Sequence, residues 1–249
     1  MPDPVPTFAK LHRVRIHWPA QTDAPTPWPQ LAEKLVTYPT VLAIVHRRQD
    51  ARDLTRLLPA DTIHLSASMC AAHRLKTIGK IKTTLAAKKP VRVVSTQLVE
   101  AGVDIDFPVV YRALAGLDAI AQSAGRCNRE GTLAEGDCHI FVAESAPPKG
   151  VLSKALDVTR TMLNAHGGAL DPLSPEPFEE FFRSLYHINE LDQHGIQRLR
   201  ESLSFESVAE EFKMIEDDWR VPVVVPCGDA AKRIDALKSA AKAAGFIPA

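Results

Sequence analysis

Short apolar runs alternate with helical patterns between residues 40 and 143, and this alternation limits the fold more than any other feature of the sequence. The runs VLAIVH (Val41–His46) and VRVVS (Val91–Ser95) are mostly apolar at successive positions, as in strands that are covered on both faces. Helical patterns fill the intervals, including Arg47–Leu58 and Ala71–Ala87. Strands that alternate with helices predict an α/β fold, in which a parallel sheet carries helices on both faces.

The sequence predicts that the whole chain divides into three regions. Residues 1–39 form an N-terminal edge strand and a linker, because LHRVRIHW alternates charged and apolar residues and a proline-rich segment follows it. Residues 40–146 hold the α/β domain. Residues 147–249 form a mainly helical accessory extension, with one isolated apolar strand predicted at Arg220–Pro226. The extension has no obvious core of its own, so we expect it to be either an appendage or an interrupted, incomplete domain.

Composition excludes several classes of protein. No apolar run approaches 18 residues, and the amino terminus lacks the apolar segment of a secretion signal, so we expect no membrane association. The four cysteines show neither a CxxC pair nor zinc-ligand spacing, which predicts reduced thiols, a cytoplasmic location and no metal site.

Charge is distributed unevenly although the net charge is zero. Residues 1–131 hold 18 lysines and arginines against 11 aspartates and glutamates, whereas residues 132–249 hold 12 against 19. A basic half is consistent with a polyanionic partner, although this asymmetry alone is weak support.

A cluster in the predicted helix Leu117–Asn128 suits phosphate binding. Gln122, Arg126 and Arg129 are spaced by four and three residues, which predicts that they lie along one helix face. Gly125 removes a side chain next to Arg126, so another surface can approach closely. Arginines in such a row suit the oxygens of nucleotide phosphates. The alternative is that they are surface arginines in salt bridges.

A second cluster follows the buried strand Val91–Ser95. Thr96 can use its hydroxyl and nearby amides to bind a phosphate backbone, and Gly102 permits a backbone conformation that other residues avoid. Asp104 can accept from ribose hydroxyls or pair with Arg126; alternatively it is a turn or capping aspartate. Loops at the carboxyl ends of parallel strands are where open α/β sheets bind ligands, so we expect these clusters at that edge.

These segments resemble a known family. STQLVEAGVDID is similar to motif V, and QSAGRCNREG to motif VI, of the second RecA-like domain of superfamily-two helicases, with VLAIVHRRQDA at the place of motif IV. Two longer segments resemble the helicase-nuclease of type I CRISPR interference: the one that runs from VVSTQLVEAGVDID to QSAGRCNREG, and the later FESVAEEFKMIEDDWRVPVVVP. The resemblance therefore implies a RecA-like sheet.

The resemblance also implies a role for each matching residue. ATP would be bound by five residues: Gly102, Asp104, Gln122, Arg126 and Arg129. Arg129, in preference to Arg126, would be the catalytic arginine finger, and Gln122 would couple nucleotide state to domain closure. The single-stranded DNA backbone would be contacted by Thr96, Ser66 and Arg74. His46 replaces an asparagine common in relatives, so it receives no role.

Motifs that are absent define the expected partners. The 249 residues contain no G-x-x-x-x-G-K-[ST] loop, no DExH box after a buried strand and no His-Asp dipeptide. We therefore expect ATP to be shared with a missing first RecA-like domain, which holds most of the Mg²⁺ coordination, and we expect no ATP hydrolysis by this chain alone. The expected partners are single-stranded DNA, the missing RecA-like and nuclease part in cis or in trans, and the CRISPR surveillance complex. Two alternatives are an RNA helicase fragment and a nucleic-acid-binding or interaction module without an ATPase role.

Overall fold

Six parallel strands form one sheet in the order β1-β6-β5-β2-β4-β3. The computed structural model describes residues 13–100, 102–192, 194–212 and 223–244. The strands are β1 (Val14–His17), β2 (Thr40–Ile44), β3 (Ile63–Leu65), β4 (Val91–Ser95), β5 (Val109–Ala113) and β6 (Gly136–Phe141). The predicted parallel sheet is thus confirmed.

Nine helices accompany the sheet in the described residues. They are α1 (Trp28–Val36), α2 (Arg48–Leu57), α3 (Ala71–Ala86), α4 (Leu117–Ala124), α5 (Val151–Ala165), α6 (Glu176–His187), α7 (Ile196–Glu201), α8 (Phe205–Glu211) and α9 (Ala230–Ala243). A single 3₁₀ turn, Gln97–Val99, follows β4. By their contacts the residues divide into two compact units, Met1–Asn189 and Glu190–Ala249.

Both faces of the sheet are covered, which explains why its central strands are apolar at successive positions. Along β2, Leu42 and Ile44 enter the core that α3 and α4 cover, whereas Val41 and Ala43 enter the core that α1 and α2 cover. Since side chains alternate between the faces of a strand, burial on both sides requires an apolar residue at every position.

The amino-terminal segment belongs to the same sheet. β1 pairs with β6 at one edge, which confirms the predicted edge strand within the described residues; Leu11 and His12 lie outside them. α1 buries Leu31 and Leu35 against the sheet. The domain boundaries predicted at 39/40 and 146/147 stay a prediction. The sheet of the α/β domain nevertheless includes β1, which lies before residue 39.

The first part of the helical extension packs on the α/β domain. α5 and α6 bury Met162 and Phe181 in a cluster that includes Leu117 of α4. In the second unit, the described parts of α7, α8 and α9 contain no buried residue. None of the described helices is long and apolar enough to cross a membrane.

The isolated strand predicted at Arg220–Pro226 is wrong where it can be checked. Val223 to Pro226 form no strand, and Val223, Val224 and Val225 are exposed; residues 220–222 lie outside the described residues. A strand needs a neighbour for its backbone N–H and C=O groups, and an apolar sequence alone does not supply one.

Candidate functional site

One cleft lies at the carboxyl edge of the sheet, where β2, β3 and β4 end together. The backbone N–H of Thr96 donates to the Leu65 carbonyl at 3.3 Å, and that of Val45 donates to the Ser95 carbonyl at 2.9 Å, so the three strand ends are aligned. The cleft has a volume of about 640 Å³, and most of its lining residues are polar or charged. Its lining residues are His46, Arg47, Arg48, Gln49, Arg52, Ala67, Ser68, Thr96, Gln97 and Pro148.

The residues predicted to contact DNA are placed differently with respect to this cleft. Thr96 lines it. Ser66 is fully buried, and its Oγ lies 3.4 Å from the backbone nitrogen of Ser68, which lines the cleft instead. Arg74 lies half-buried on α3 and is not among the lining residues. The DNA roles of Ser66 and Arg74 remain predictions; the structure brings only Thr96 into the cleft.

The cations of this cleft come from a segment to which we assigned no binding role. Arg47, Arg48 and Arg52 are exposed and lie just before or within the first turns of α2. The signal in the sequence is the run HRRQDAR directly after an apolar strand. Three arginines beside a threonine hydroxyl suit a phosphate backbone, because phosphate contacts dominate nucleic-acid affinity.

Asp104 lies in a different cleft, and this corrects the expectation that all the polar clusters share the carboxyl edge. β4 and β5 point in the same direction, so the residues that connect them must return from the carboxyl edge to the amino edge; among the described residues of this connection the single helical element is the 3₁₀ turn Gln97–Val99. The cleft of about 730 Å³ that Asp104 lines also includes Thr40, the first residue of β2, and Pro108, which precedes β5. Asp104 is therefore near the amino edge.

The arginines do not share a helix face with Gln122, which is a second correction. α4 ends at Ala124, with Gln122 exposed in its last turn. The helix ends because the next residues pair with a distant one: the Phe107 N–H donates to the Arg126 carbonyl, and the Asn128 N–H donates to the Phe107 carbonyl, both at 2.9 Å. Arg126 and Arg129 consequently lie on a loop.

Both arginines nevertheless contact the same short segment, which includes Glu100 and Asp104. Arg126 Nη2 donates to the backbone carbonyl of Glu100 at 2.6 Å, and Arg129 Nε lies 2.9 Å from Asp104 Oδ1. Asp104 thus pairs with Arg129, and not with Arg126 as we had considered. Asp106 fixes the loop further, since its carboxylate accepts the backbone N–H of Arg129 at 2.7 Å.

The charges of this loop favour an anion. Burial lowers the pKa of Arg126 from its usual value, and the neighbouring charge of Arg129 lowers it further. Arg126 Nε is buried and has no hydrogen-bond partner among the described residues. The Arg129–Asp104 pair is half-exposed, and such pairs contribute only about 0–1 kcal/mol, so a phosphate could replace Asp104 at little cost. These arginines therefore fit a phosphate group.

A buried ion pair that sequence reasoning missed anchors the segment that holds the arginines. Arg112 Nε of β5 lies 2.7 Å from Glu100 Oε1; the two side chains are 1% and 8% exposed. Ser123 of α4 donates to the same carboxylate oxygen at 3.1 Å. Burial raises the pKa of Glu100, and Arg112 opposes that rise. A charged residue inside an apolar strand, Arg112 in VVYRA, was the available signal.

Gly102 fits its predicted conformational role. Its φ of +73° lies in the left-handed region, and a Cβ at this position would meet no atom within 4 Å. Glycine is therefore required here by the backbone and not by lack of space.

The fold and the site define a class. A parallel sheet that is covered on both faces, with a cleft at its carboxyl edge and two arginines on the loop after α4, has the architecture of a RecA-like domain. Residues 32–132 match the family model described as CRISPR-associated nuclease/helicase Cas3, C-terminal. That match covers 101 of the 249 residues, and the matched part of the chain is similar to a carboxyl-side part of Cas3.

Curated relatives agree with this assignment. The chain is 28% identical to the CRISPR-associated nuclease/helicase Cas3 of Methanothermobacter thermautotrophicus over 173 residues, which are 66% of this chain and 21% of that protein. It is 40% identical to the Haloferax volcanii protein of the same name over 76 residues, or 29% of this chain and 8% of the relative. The chain thus spans about a fifth or less of the relatives it matches.

Solved structures share the fold. A crystal structure of T. fusca Cas3 with ATP matches with a TM-score of 0.53 and 21% identity, covering 80% of this chain and 26% of the other. A chain of a CRISPR RNA-guided surveillance complex in a pre-nicking state matches with a TM-score of 0.52 and 20% identity, covering 83% and 29%.

Proposed function

We propose that this chain is the second RecA-like half of an ATP-dependent single-stranded-DNA translocase of type I CRISPR interference. It supplies an arginine finger and part of the DNA track, and it does not hydrolyse ATP alone. The observation that carries the proposal is the attachment of Arg126 and Arg129 to one segment, Glu100–Asp104, which Arg112 and Ser123 anchor in the core.

The anchored segment gives the arginines different roles. Arg126 is half-buried and tied to a backbone carbonyl, so it offers a fixed charge. Arg129 is 43% exposed and tied to a side chain that is itself 64% exposed, so it can leave Asp104 and reach a phosphate on another domain. We therefore favour Arg129 as the arginine finger. Gly102 and Asp104 are assigned to the sugar side of the nucleotide, and Gln122 to the coupling of nucleotide state to domain closure.

ATP binding needs a second surface. The 249 residues contain no phosphate loop, and the two carboxylates that contact the arginine loop already have partners: Asp106 with backbone N–H groups and Asp104 with Arg129. We therefore assign the phosphate loop and most of the Mg²⁺ coordination to a first RecA-like domain, in cis or in trans.

The cleft at the carboxyl edge is the proposed DNA track. Thr96 and Ser68 offer hydroxyls beside the three exposed arginines of the α2 region, which suits a backbone of phosphates read without regard to base. Because a similar chain occurs in a CRISPR surveillance complex, we also propose that such a complex recruits this protein in the cytoplasm.

The test is DNA-stimulated ATP hydrolysis by this chain together with a separately expressed first RecA-like domain of Cas3. We expect no turnover by the chain alone and turnover by the mixture. Arg129→Ala should then lower the rate by about 10³-fold or more, the range known for arginine fingers. Arg183→Ala is the matched control, since Arg183 forms an exposed ion pair with Glu179 on α6.

Two results would contradict the proposal. The first is rapid hydrolysis by the chain alone that Arg129→Ala abolishes, which would show that the site is complete. The second is hydrolysis by the mixture that is insensitive to both Arg126→Ala and Arg129→Ala, which would remove the arginines from the site. Competition between single-stranded DNA and RNA of the same sequence separates the DNA track from that of an RNA helicase.

A further inference from the structure

Two histidines and an aspartate meet at the outer edge of the sheet, away from both clefts described above. His17 is the last residue of β1, and it lies beside His139 of β6 in the strand register. Asp137 lies two residues before His139, so its side chain emerges on the same face of the sheet. No role in the proposed ATP or DNA sites involves these residues.

The distances bring three ligand atoms together. His17 Nε2 lies 2.7 Å from Asp137 Oδ1, and one ligand atom from each of the three residues lies within 4.8 Å of the others. This is the single group of this kind in the described part of the chain. Atoms bound to one zinc ion at about 2.0–2.2 Å lie roughly 3–4 Å apart, so only a small movement is needed.

The arrangement of the rings defines that movement. The His17 and His139 rings are stacked, with centroids 4.4 Å apart and an angle of 14° between their planes, and His139 also stacks on Tyr111. An ion must lie in the plane of each ring that it binds, so one ring has to turn. His17 is 36% exposed, so its ring has room to turn once an ion replaces its contact with Asp137, whereas Tyr111 packs against His139.

His139 is suited to bind a cation. Imidazole nitrogen and carboxylate oxygen together are ligands of zinc-class ions, whereas calcium and magnesium prefer coordination by oxygen atoms alone.

We propose that His17, Asp137 and His139 bind one divalent transition-metal ion of the zinc class, which clamps β1 to β6. The ion takes the position of the proton that His17 and Asp137 share, and that proton moves to the other ring nitrogen or to solvent. The remaining coordination position opens into a cleft of about 620 Å³ that Lys34 also lines, and water can fill it. The role is structural, because the ion links an edge strand to its neighbour.

Zinc titration of the full chain, after removal of metals with a chelator, tests the site by calorimetry. We expect about one Zn²⁺ per chain and a Tm that rises with Zn²⁺. His17→Ala and His139→Ala should each weaken binding by at least about 10-fold, since even residues behind the ligands cost 10- to 100-fold when they are lost. His166→Ala is the matched control: His166 pairs with Glu180 at 3.1 Å on the surface, without a third ligand.

Co²⁺ spectra provide a second measurement if an alanine variant fails to fold. Asp137→Asn keeps the shape of the side chain, and it should weaken Co²⁺ binding in a chain whose circular dichroism is unchanged. Two outcomes overturn the proposal: Zn²⁺ affinity that is equal in the wild type, His17→Ala and His139→Ala, or a thiolate charge-transfer band that places the ion on a cysteine.

Discussion

Replacing Arg112 with methionine should destabilise the protein strongly, because it leaves the carboxylate of Glu100 buried without a counter-charge. The guanidinium is 1% exposed and the carboxylate 8%, so water can reach neither group well. Removal of one partner from such a buried pair costs about 3–5 kcal/mol. At about 2–4 °C per kcal/mol for a chain of this length, the Tm should fall by roughly 6–20 °C.

Urea denaturation followed by circular dichroism measures this cost at several pH values. Burial already raises the pKa of Glu100, and loss of Arg112 removes the main opposing effect, so the carboxyl in the variant takes up a proton more readily. A carboxyl whose pKa is higher in the folded than in the unfolded state binds more proton in the folded state, so it stabilises the folded state as the pH falls. The variant should therefore lose less stability, relative to the wild type, as the pH falls.

The double variant Glu100→Gln/Arg112→Met separates the ion pair from simple packing. It removes both charges, so it should recover most of the stability that Arg112→Met loses. A loss below about 1 kcal/mol in the single variant, or an equal loss in the double variant, would refute the reasoning, because either result means that the buried charge is not what destabilises the chain.

Two further changes test the core around the sites. Burial lowers the pKa of His46 from 6.5 to about 3, so between these pH values the unfolded chain binds a proton that the folded chain does not. Stability should therefore fall by about 1–2 kcal/mol between pH 6.5 and pH 5, and His46→Asn should remove that part of the pH dependence in urea titrations. Gly136→Ala should lower the free energy of unfolding by about 1–3 kcal/mol, measured by thermal unfolding, because the new Cβ would lie 2.7 Å from Cys127 Sγ and 2.8 Å from Asn128 Cβ. Gly79→Ala is the control: Gly79 is an exposed helical position, and a Cβ there would meet no atom within 4 Å, so stability should be unchanged or rise.

The central sheet could be predicted from the sequence because its signal is local. A strand such as β2 that is buried on both faces must be apolar throughout, and the helices between such strands repeat at their own period. The same reasoning failed at Val223–Pro226, where apolar residues are present but none of the described strands is a neighbour.

The sequence indicates candidate residues for the site but not their geometry. The end of α4 is decided by Phe107, which lies some 20 positions before Cys127 and pairs with it, and no helical period reveals such a contact. Ser66 illustrates the same limit: a serine after a strand can face a cleft or the core, and here it is Ser68 that faces the cleft.

The position of β1 also has a consequence for how the chain folds. In the described residues its one sheet neighbour is β6, and the contact between His17 and Asp137 joins positions 120 residues apart. During synthesis β1 emerges long before β6, so it cannot join the sheet until nearly all of the α/β domain has left the ribosome. Pairing over such a distance is slow compared with local contacts. Closure of this edge is therefore a late event in folding, and a strand with apolar residues such as Val14 is exposed until then.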